Sequence, residues 1–366
     1  MATRTRVEAA VERLEVSAYT IPTDEPEQDG TFDWDSTTIV VCEATAGGET
    51  GLGYTYGDVA TGTLIESMLA DVVCGRDALA VGATWEAMSR ALRNAGRPGI
   101  GAMAISAVDV ALWDLKARLL EQPLVTLLDA RRDEVPIYGS GGFTCYSLDR
   151  IRQQLGGWIE AGIPRVKLKV GRKPPEDPSR LDAARDAIGH AELYVDANGA
   201  FSRKQALAWA RRLAVRWDVR WFEEPVSSDD VEGLRLLRDE GPPGMDIAAG
   251  EYAYVLPDFV RLAEAVDCLQ ADVTRCGGIT GLLRADGVAT ARQVDLSAHC
   301  APAVSAHAFC AVDRLRHLEY FHDHVRIEHL LFDGVPEPDE GALRPDRSRT
   351  GLGLELKRTD AERYAA

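Results

Sequence analysis

Seven polar residues recur through the second half of this 366-residue chain, each closing a short apolar run: Lys169, Asp196, Glu223, Glu251, Asp272, His299 and Glu319. The steps between them are 27, 27, 28, 21, 27 and 20 residues. One strand, one helix and their two connections occupy about that length. If such units close into a barrel, all the strand ends point to one face. Lys167, two residues before Lys169 on the same face of its strand, joins them. Two lysines, carboxylates from several strands and a histidine would then converge on one pocket.

Strands are expected at 135–141, 165–170, 192–197, 219–224, 246–250, 268–272, 295–299 and 317–321, with helical spans such as 179–189 and 203–215 in the gaps. This alternation reads as an α/β barrel of eight strands and seven intervening helices. No clear helix is expected after the eighth strand, where the chain runs through Pro336, Pro338 and Gly341 into a polar tail. The first part reads differently. Runs at 6–20 and 36–47 are of β type, Gly47-Gly48 is a turn, and 62–130 is helical, with Ile105, Val108, Leu112, Leu115 and Leu119 at helix spacing around Asp109 and Asp114. Strands followed by helices without alternation mark an α+β domain. The expected division is 1–130, 131–325 for the barrel, and 326–366 as a segment returning to the first domain. The stretch 23–34 reads as a long acidic loop carrying Phe32 and Trp34, of the kind used as a lid over a site.

A net charge of −17 argues against nucleic acid and anionic membranes as partners, since both select basic patches. Seven cysteines without a CxxC pair do not make a disulfide framework, and no apolar run approaches a membrane span. The N-terminus shows no signal peptide, so a cytoplasmic location is expected.

Asp196, Glu223 and Glu251 place three carboxylates on consecutive strand ends. Taken singly, each is an ordinary strand-end acid; together, an all-oxygen set without Cys or His favours Mg2+ over zinc. Glu224 competes with Glu223, but strand neighbours face opposite sides, so one of the two is expected inside. One lysine of the 167/169 pair suits a base and the other an anion-binding charge. Asp272 and His299 follow adjacent strands, and a carboxylate on Nδ1 would leave Nε2 free to exchange a proton. Bases on opposite sides of an α-carbon permit 1,1-proton transfer, or proton abstraction with loss of a β-hydroxyl.

The segments Arg-Val-Lys-Leu-Lys-Val, Val-Asp-Ala-Asn-Gly, Trp-Phe-Glu-Glu-Pro, Ala-Gly-Glu, Gln-Ala-Asp-Val-Thr-Arg-Cys-Gly-Gly-Ile-Thr-Gly and Ser-Ala-His together resemble the mandelate racemase subgroup of the enolase superfamily. The resemblance implies a (β/α)7β TIM-like barrel with an α+β N-terminal capping domain completed by the C-terminal tail. It also implies Mg2+ on Asp196, Glu223 and Glu251. Lys169 and His299 would be the two bases, with Asp272 orienting His299. Lys167 would stabilise an enediolate intermediate, and Glu319 would bond a substrate carboxylate oxygen. Asn198 and, from the lid, Trp34 are expected substrate contacts. The substrate would be a small carboxylate, and the resemblance implies a homo-oligomer.

Arg275 stands where several relatives carry a lysine three residues after the dyad aspartate. Arginine is no base near neutral pH, so a lysine–lysine mechanism is disfavoured. The Lys169/His299 pair favours the racemase and acid-sugar-dehydratase branch, where the commonest activity that the resemblance implies is dehydration of a sugar acid to a 2-keto-3-deoxy acid. Racemisation or epimerisation of a 2-hydroxy acid or an amino-acid-like carboxylate is the alternative, because it uses the same pair. The acidic lid fits a polyol better than an aryl group and equally admits a cationic substrate. A metal-dependent hydrolase on a (β/α)8 barrel, the alternative of another class, would want an HxH after the first strand. The HxH present, His322-Asp-His324, follows the last strand and reads as solvated or structural. Gly139-Ser-Gly-Gly142 lacks the spacing of a phosphate loop.

Overall fold

The computed structural model describes residues 9–366. Residues 6–8 of the first β-type run lie outside the described residues. An antiparallel sheet opens the chain, with β1 (Arg13–Gln28), β2 (Asp33–Ala46) and β3 (Glu49–Tyr56) in that order. Gly47 and Gly48 turn between β2 and β3 with φ of 58° and 84°, backbone that glycine adopts without strain. A helical stretch follows through α1 (Val59–Leu64), a π turn and α2 (Ala70–Val73), then α3 (Val81–Ala91), α4 (Ile100–Leu119) and the short α5 (Leu124–Leu127).

The structure corrects the reading of 23–34 as a loop. Strands β1 and β2 extend into it, pairing Glu27 with Trp34 and Gln28 with Asp33 after a bulge between Pro22 and Glu27. Only 29–32 remain as the tip of the hairpin. Apolar alternation is missing here because buried Glu27 and Asp29 share the arm with Trp34, which packs against Phe143.

Eight parallel strands form the barrel: β4 (Val135–Gly141), β5 (Arg165–Lys169), β6 (Glu192–Asp196), β7 (Val219–Glu223), β8 (Asp246–Ala249), β9 (Cys268–Ala271), β10 (Asp295–Ala298) and β11 (Leu315–Phe321). Each pairs with the next, and β11 closes on β4 through Glu319 opposite Tyr138 and Phe321 opposite Ser140. Helices α6 (Leu148–Glu160), α7 (Asp177–Ile188), α8 (Arg203–Trp217), α9 (Val231–Glu240), α10 (Leu256–Leu262), α11 (Gly278–Arg292) and α12 (Pro302–Phe309) fill the seven gaps. All eight strands expected from the sequence are present.

A further helix, α13 (His322–Leu331), begins directly after β11, against expectation. Its buried face includes Asp323, His324 and Glu328 beside Ile327 and Leu331, so its periodicity is not an apolar one. Inside the barrel, Tyr138, Tyr194 and Trp221 form one aromatic layer with His317, with ring centroids 4.7 to 6.5 Å apart. This layer closes the barrel floor, and each such ring contributes about 1.5–3 kcal/mol of apolar burial.

The buried α4 joins the two halves. On β3, a Cβ at Gly51 would lie 2.2 Å from the Ala111 carbonyl oxygen and one at Gly53 2.2 Å from that of Ala107, so both glycines admit the helix backbone. The polar residues noted along α4 are its fastenings. Asp109 accepts Thr280 N (2.9 Å) and Thr280 Oγ1 (2.7 Å) from α11, while Asp114 accepts Leu52 N (2.8 Å) from β3 and Leu352 N (2.5 Å) from the returning tail. Arg118 adds an ion pair to Glu355 at 2.9 Å. Among the described residues, no helix is long and apolar enough to cross a membrane.

Candidate active site

Register brings the ladder together. Lys169 on β5 lies opposite Asp196 on β6, and Asp196 lies opposite Glu223 on β7. Parallel neighbours in one layer point the same way, so the alternating face that carries Lys167 and Lys169 is the barrel lumen. Lys167 is fully buried. Its Nζ lies 2.7 Å from both Glu223 oxygens, 2.7 Å from Glu319 Oε1 and 3.4 Å from Asp196 Oδ2. Burial alone would lower its pKa, but Glu223 and Glu319 outweigh that and hold it well above the usual value. Lys169 Nζ donates to Asp196 Oδ2 at 2.6 Å. Here too burial pulls down and the carboxylate prevails, so the ammonium is favoured.

Across the barrel, His299 Nδ1 is 2.8 Å from Asp272 Oδ2. Asp272 is fixed in turn by Thr274, whose N and Oγ1 donate to Oδ1 at 2.7 and 2.6 Å. His299 Nε2 lies 2.8 Å from Glu251 Oε2 and 3.5 Å from Glu319 Oε2. Glu319 also accepts Ser140 Oγ at 2.6 Å. Burial opposes the charged form of Glu319, and Lys167 and His299 overcome it, so the carboxylate stays ionised.

Asp196, Glu223 and Glu251 are all buried, and an oxygen from each falls within 4.8 Å of the others. Burial and then the Asp196 charge raise the Glu223 carboxyl to about 8, against the opposing pull of Lys167. Hard oxygen donors at that separation fit a divalent cation of the Mg2+ class.

Glu224 departs from expectation. It follows β7 with φ of 36°, is buried, and has an unpartnered Oε1. Burial, then Glu251 and Asp196, raise its pKa, so it sits beside the acid triad rather than on the opposite face. The left-handed backbone breaks the strand's alternation. Cys300 behaves likewise: φ of 50° just beyond β10 turns its Sγ to 3.4 Å from both His299 Nε2 and Glu319 Oε2.

A cavity of about 480 Å3 lies over these strand ends and reaches the capping domain. The barrel supplies Lys169, Asn198, Glu251, His299 and Glu319 to its wall, and the capping domain supplies Asp29, Trp34, Thr37 and Asp58. Trp34 is held by its Nε1, which donates to Glu27 Oε2 at 2.8 Å, and by its ring, edge-on to Phe143 at 5.5 Å. Asn198 has φ of 44° and a buried Oδ1 without a partner.

Two further residues reach the cluster or its cavity: Ser140, which donates to Glu319, and His324. Ser140 belongs to the glycine-rich Gly139–Gly142 segment, whose glycines serve packing: a Cβ at Gly139 would meet the Trp158 ring at 2.4 Å. His324 is not solvated. It stacks on Tyr56 with ring centroids 3.4 Å apart, lines the cavity, and is pushed down to about 3 by burial.

The chain is similar to known proteins along most of its length. Residues 150–361 match the family described as enolase C-terminal domain-like, and residues 21–129 match the mandelate racemase / muconate lactonizing enzyme N-terminal domain. A mandelate racemase/muconate lactonizing enzyme-like protein from Rubrobacter xylanophilus is 65% identical; the match covers 98% of this chain and 100% of that one, with a TM-score of 0.97. The 3,6-anhydro-alpha-L-galactonate cycloisomerase of Streptomyces coelicolor is 32% identical over 95% of this chain and 98% of its own. The L-talarate/galactarate dehydratase of Salmonella typhimurium LT2 is 33% identical over 84% of this chain and 77% of its own. The structure of that dehydratase liganded with Mg and L-lyxarohydroxamate has a TM-score of 0.90, with 29% identity over 100% of this chain and 96% of that one.

Proposed function

The chain belongs to the mandelate racemase/muconate lactonizing enzyme family of the enolase superfamily, and on that premise we propose that it removes the α-proton of a sugar acid and expels the β-hydroxyl, giving a 2-keto-3-deoxy acid. The observation that carries this reading is the pair of proton-transfer groups on opposite sides of one acid cluster: Lys169 at Asp196, and His299 between Asp272 and Glu251.

Asp196, Glu223 and Glu251 would hold Mg2+. Bound there, it supplies Lewis-acid polarisation of the substrate carboxylate, which makes the α-proton acidic. Lys167, charged and buried, offers a second fixed cation where negative charge develops on that carboxylate. With its charge shared by a bound cation, Asp196 would hold the Lys169 ammonium less strongly, and Nζ in its neutral form takes the proton on one face. The Asp272 contact keeps His299 Nδ1 protonated, so proton exchange falls to Nε2, which faces the cluster. From there His299 delivers a proton to the departing hydroxyl. Glu319, anchored by Ser140 and Lys167, would accept a hydrogen bond from a substrate hydroxyl. The hairpin of β1 and β2 covers the cavity and limits water. The dehydratase and cycloisomerase activities named for the relatives support α-proton chemistry on sugar acids.

The test is incubation of the Mg2+-loaded protein with a sugar-acid panel, following keto-acid formation with a metal-chelated control. Exchange of the α-proton with D2O without keto-acid formation would replace dehydration by epimerisation. No exchange with any acid would sink the proposal.

A further inference from the structure

Chemistry at the strand ends engages one carboxylate and one α-carbon, so the outer half of the cavity receives the rest of the substrate. The capping domain walls the cavity with Asp29 at the hairpin tip, Ser36 and Thr37 on β2, and Asp58 beyond β3. None of these carries positive charge.

Among the described residues, two Lys or Arg side chains line the cavity, Lys169 and Arg275. Both are already engaged. Lys169 is tied to Asp196 at the floor. The Arg275 guanidinium donates to the Glu251 carbonyl at 3.2 Å, lies 3.4 Å from Asp272 Oδ2 and sits 5.4 Å from the centroid of the Tyr252 ring. Of the two histidines lining the cavity, His299 is held between Asp272 and Glu251, and His324 accepts Ala301 N on Nδ1 at 3.3 Å, which leaves a neutral ring with the proton on Nε2.

What the outer half presents is acceptors. Asp29 Oδ1 accepts the Thr31 and Phe32 amides at 2.6 Å each, and Asp58 caps α1 through Ala60 N at 2.9 Å, so both side chains present carboxylate oxygens rather than donors. Asn198 Oδ1 is buried, unpartnered and at the cavity wall. A hydroxyl donates to such groups, whereas a carboxylate has only lone pairs to offer them.

We propose that this outer half is a subsite for the neutral polyhydroxyl tail of an aldonate, a sugar acid with a single carboxylate, and that it rejects aldarates, whose second carboxylate would face Asp29 and Asp58. The inference rests on the sugar-acid reading above and narrows it to one substrate class. Like charges about 6 Å apart in a partly buried site discriminate by about 100-fold.

The experiment uses the full chain with Mg2+ and pairs of aldonate and aldarate that share configuration from C2 to C5. Both α-proton exchange in D2O and keto-acid release are followed. In the best pair, kcat/KM for the aldonate should exceed that for the aldarate by about 100-fold. Asp29→Asn keeps an oxygen for the Thr31 and Phe32 amides and removes the charge. It should shrink that ratio about tenfold, through a lower KM for the aldarate. Asp58→Asn, at an exposed helix cap, is the second variant and should act in the same direction. An aldarate turned over as well as its aldonate overturns the subsite. So does a ratio that neither variant moves, or an amino acid or betaine that outperforms both acids. If the protein binds Mg2+ yet exchanges no α-proton from any acid, the broader reading falls and takes the subsite with it.

Discussion

His299 Nδ1 sits 2.8 Å from Asp272 Oδ2, and that aspartate is itself clamped by two hydrogen bonds from Thr274. The contact fixes which imidazole nitrogen faces the acid cluster. Asp272→Asn keeps the shape but replaces an obligate acceptor with a group that can present N–H to Nδ1. Turnover should fall by about 10²–10⁴ while Mg2+ affinity stays within a factor of three or so. Steady-state kinetics beside metal titration checks this. Near-normal turnover would remove Asp272 from its orienting role.

Lys169 and His299 should separate by face. Lys169→Ala and His299→Asn are each expected to abolish dehydration, with far-UV circular dichroism unchanged. The His299 variant should still exchange the substrate α-proton with D2O, because Lys169 remains beside Asp196. If both variants kept near-full turnover, the two-base mechanism would be wrong.

The barrel was legible because seven of the eight strands end at or beside a polar residue, at steps of 20 to 28 residues, and parallel register then carries such residues into one layer, as it does Lys169, Asp196 and Glu223. What escaped has physical causes. Glu224 and Cys300 join the cluster only because the backbone turns left-handed directly after a strand, which alternation cannot show. The helix α13 hid because its buried side is made of Asp323, His324 and Glu328 as much as of apolar residues. Glu328 is satisfied by Tyr54 Oη at 2.5 Å and Ala303 N at 3.0 Å, partners distant in sequence. The hairpin of β1 and β2 looked like a loop because its buried positions include Glu27 and Asp29 beside Trp34.

The acid triad gives a metal prediction. Asp196 Oδ1 accepts Asn198 N at 2.9 Å, while Oδ2 takes Lys169. Asp196→Asn preserves the first contact through its amide oxygen and removes one negative charge from the set. Mg2+ affinity should drop by about 10- to 100-fold, and added Mg2+ should restore part of the lost activity. Calorimetric titration measures it; unchanged affinity would take Asp196 out of the ligand set.

The last prediction concerns the root of the hairpin. Glu27 is buried under the lid, accepts Trp34 Nε1 on Oε2, and has an Oε1 without a partner. Its carboxyl is pushed up to about 9 by burial, then by Asp323 and Asp24, against weaker opposing pulls from Trp34 and Arg326. A folded-state pKa above the unfolded one means that the folded protein holds a proton the unfolded chain releases. The stability from that proton is complete below about 4.5, the ordinary glutamate value, and is lost as pH rises towards 9. Glu27→Gln keeps an oxygen for Trp34 and cannot ionise. Its Tm should match the wild type near pH 4.5 and exceed it increasingly up to pH 9, by on the order of a few degrees. Parallel Tm curves across that range would show that Glu27 is ionised beneath the lid. Because Trp34 lines the cavity, the same substitution should also change KM more at pH 9 than at pH 6, since only the wild type gains a charge behind that ring.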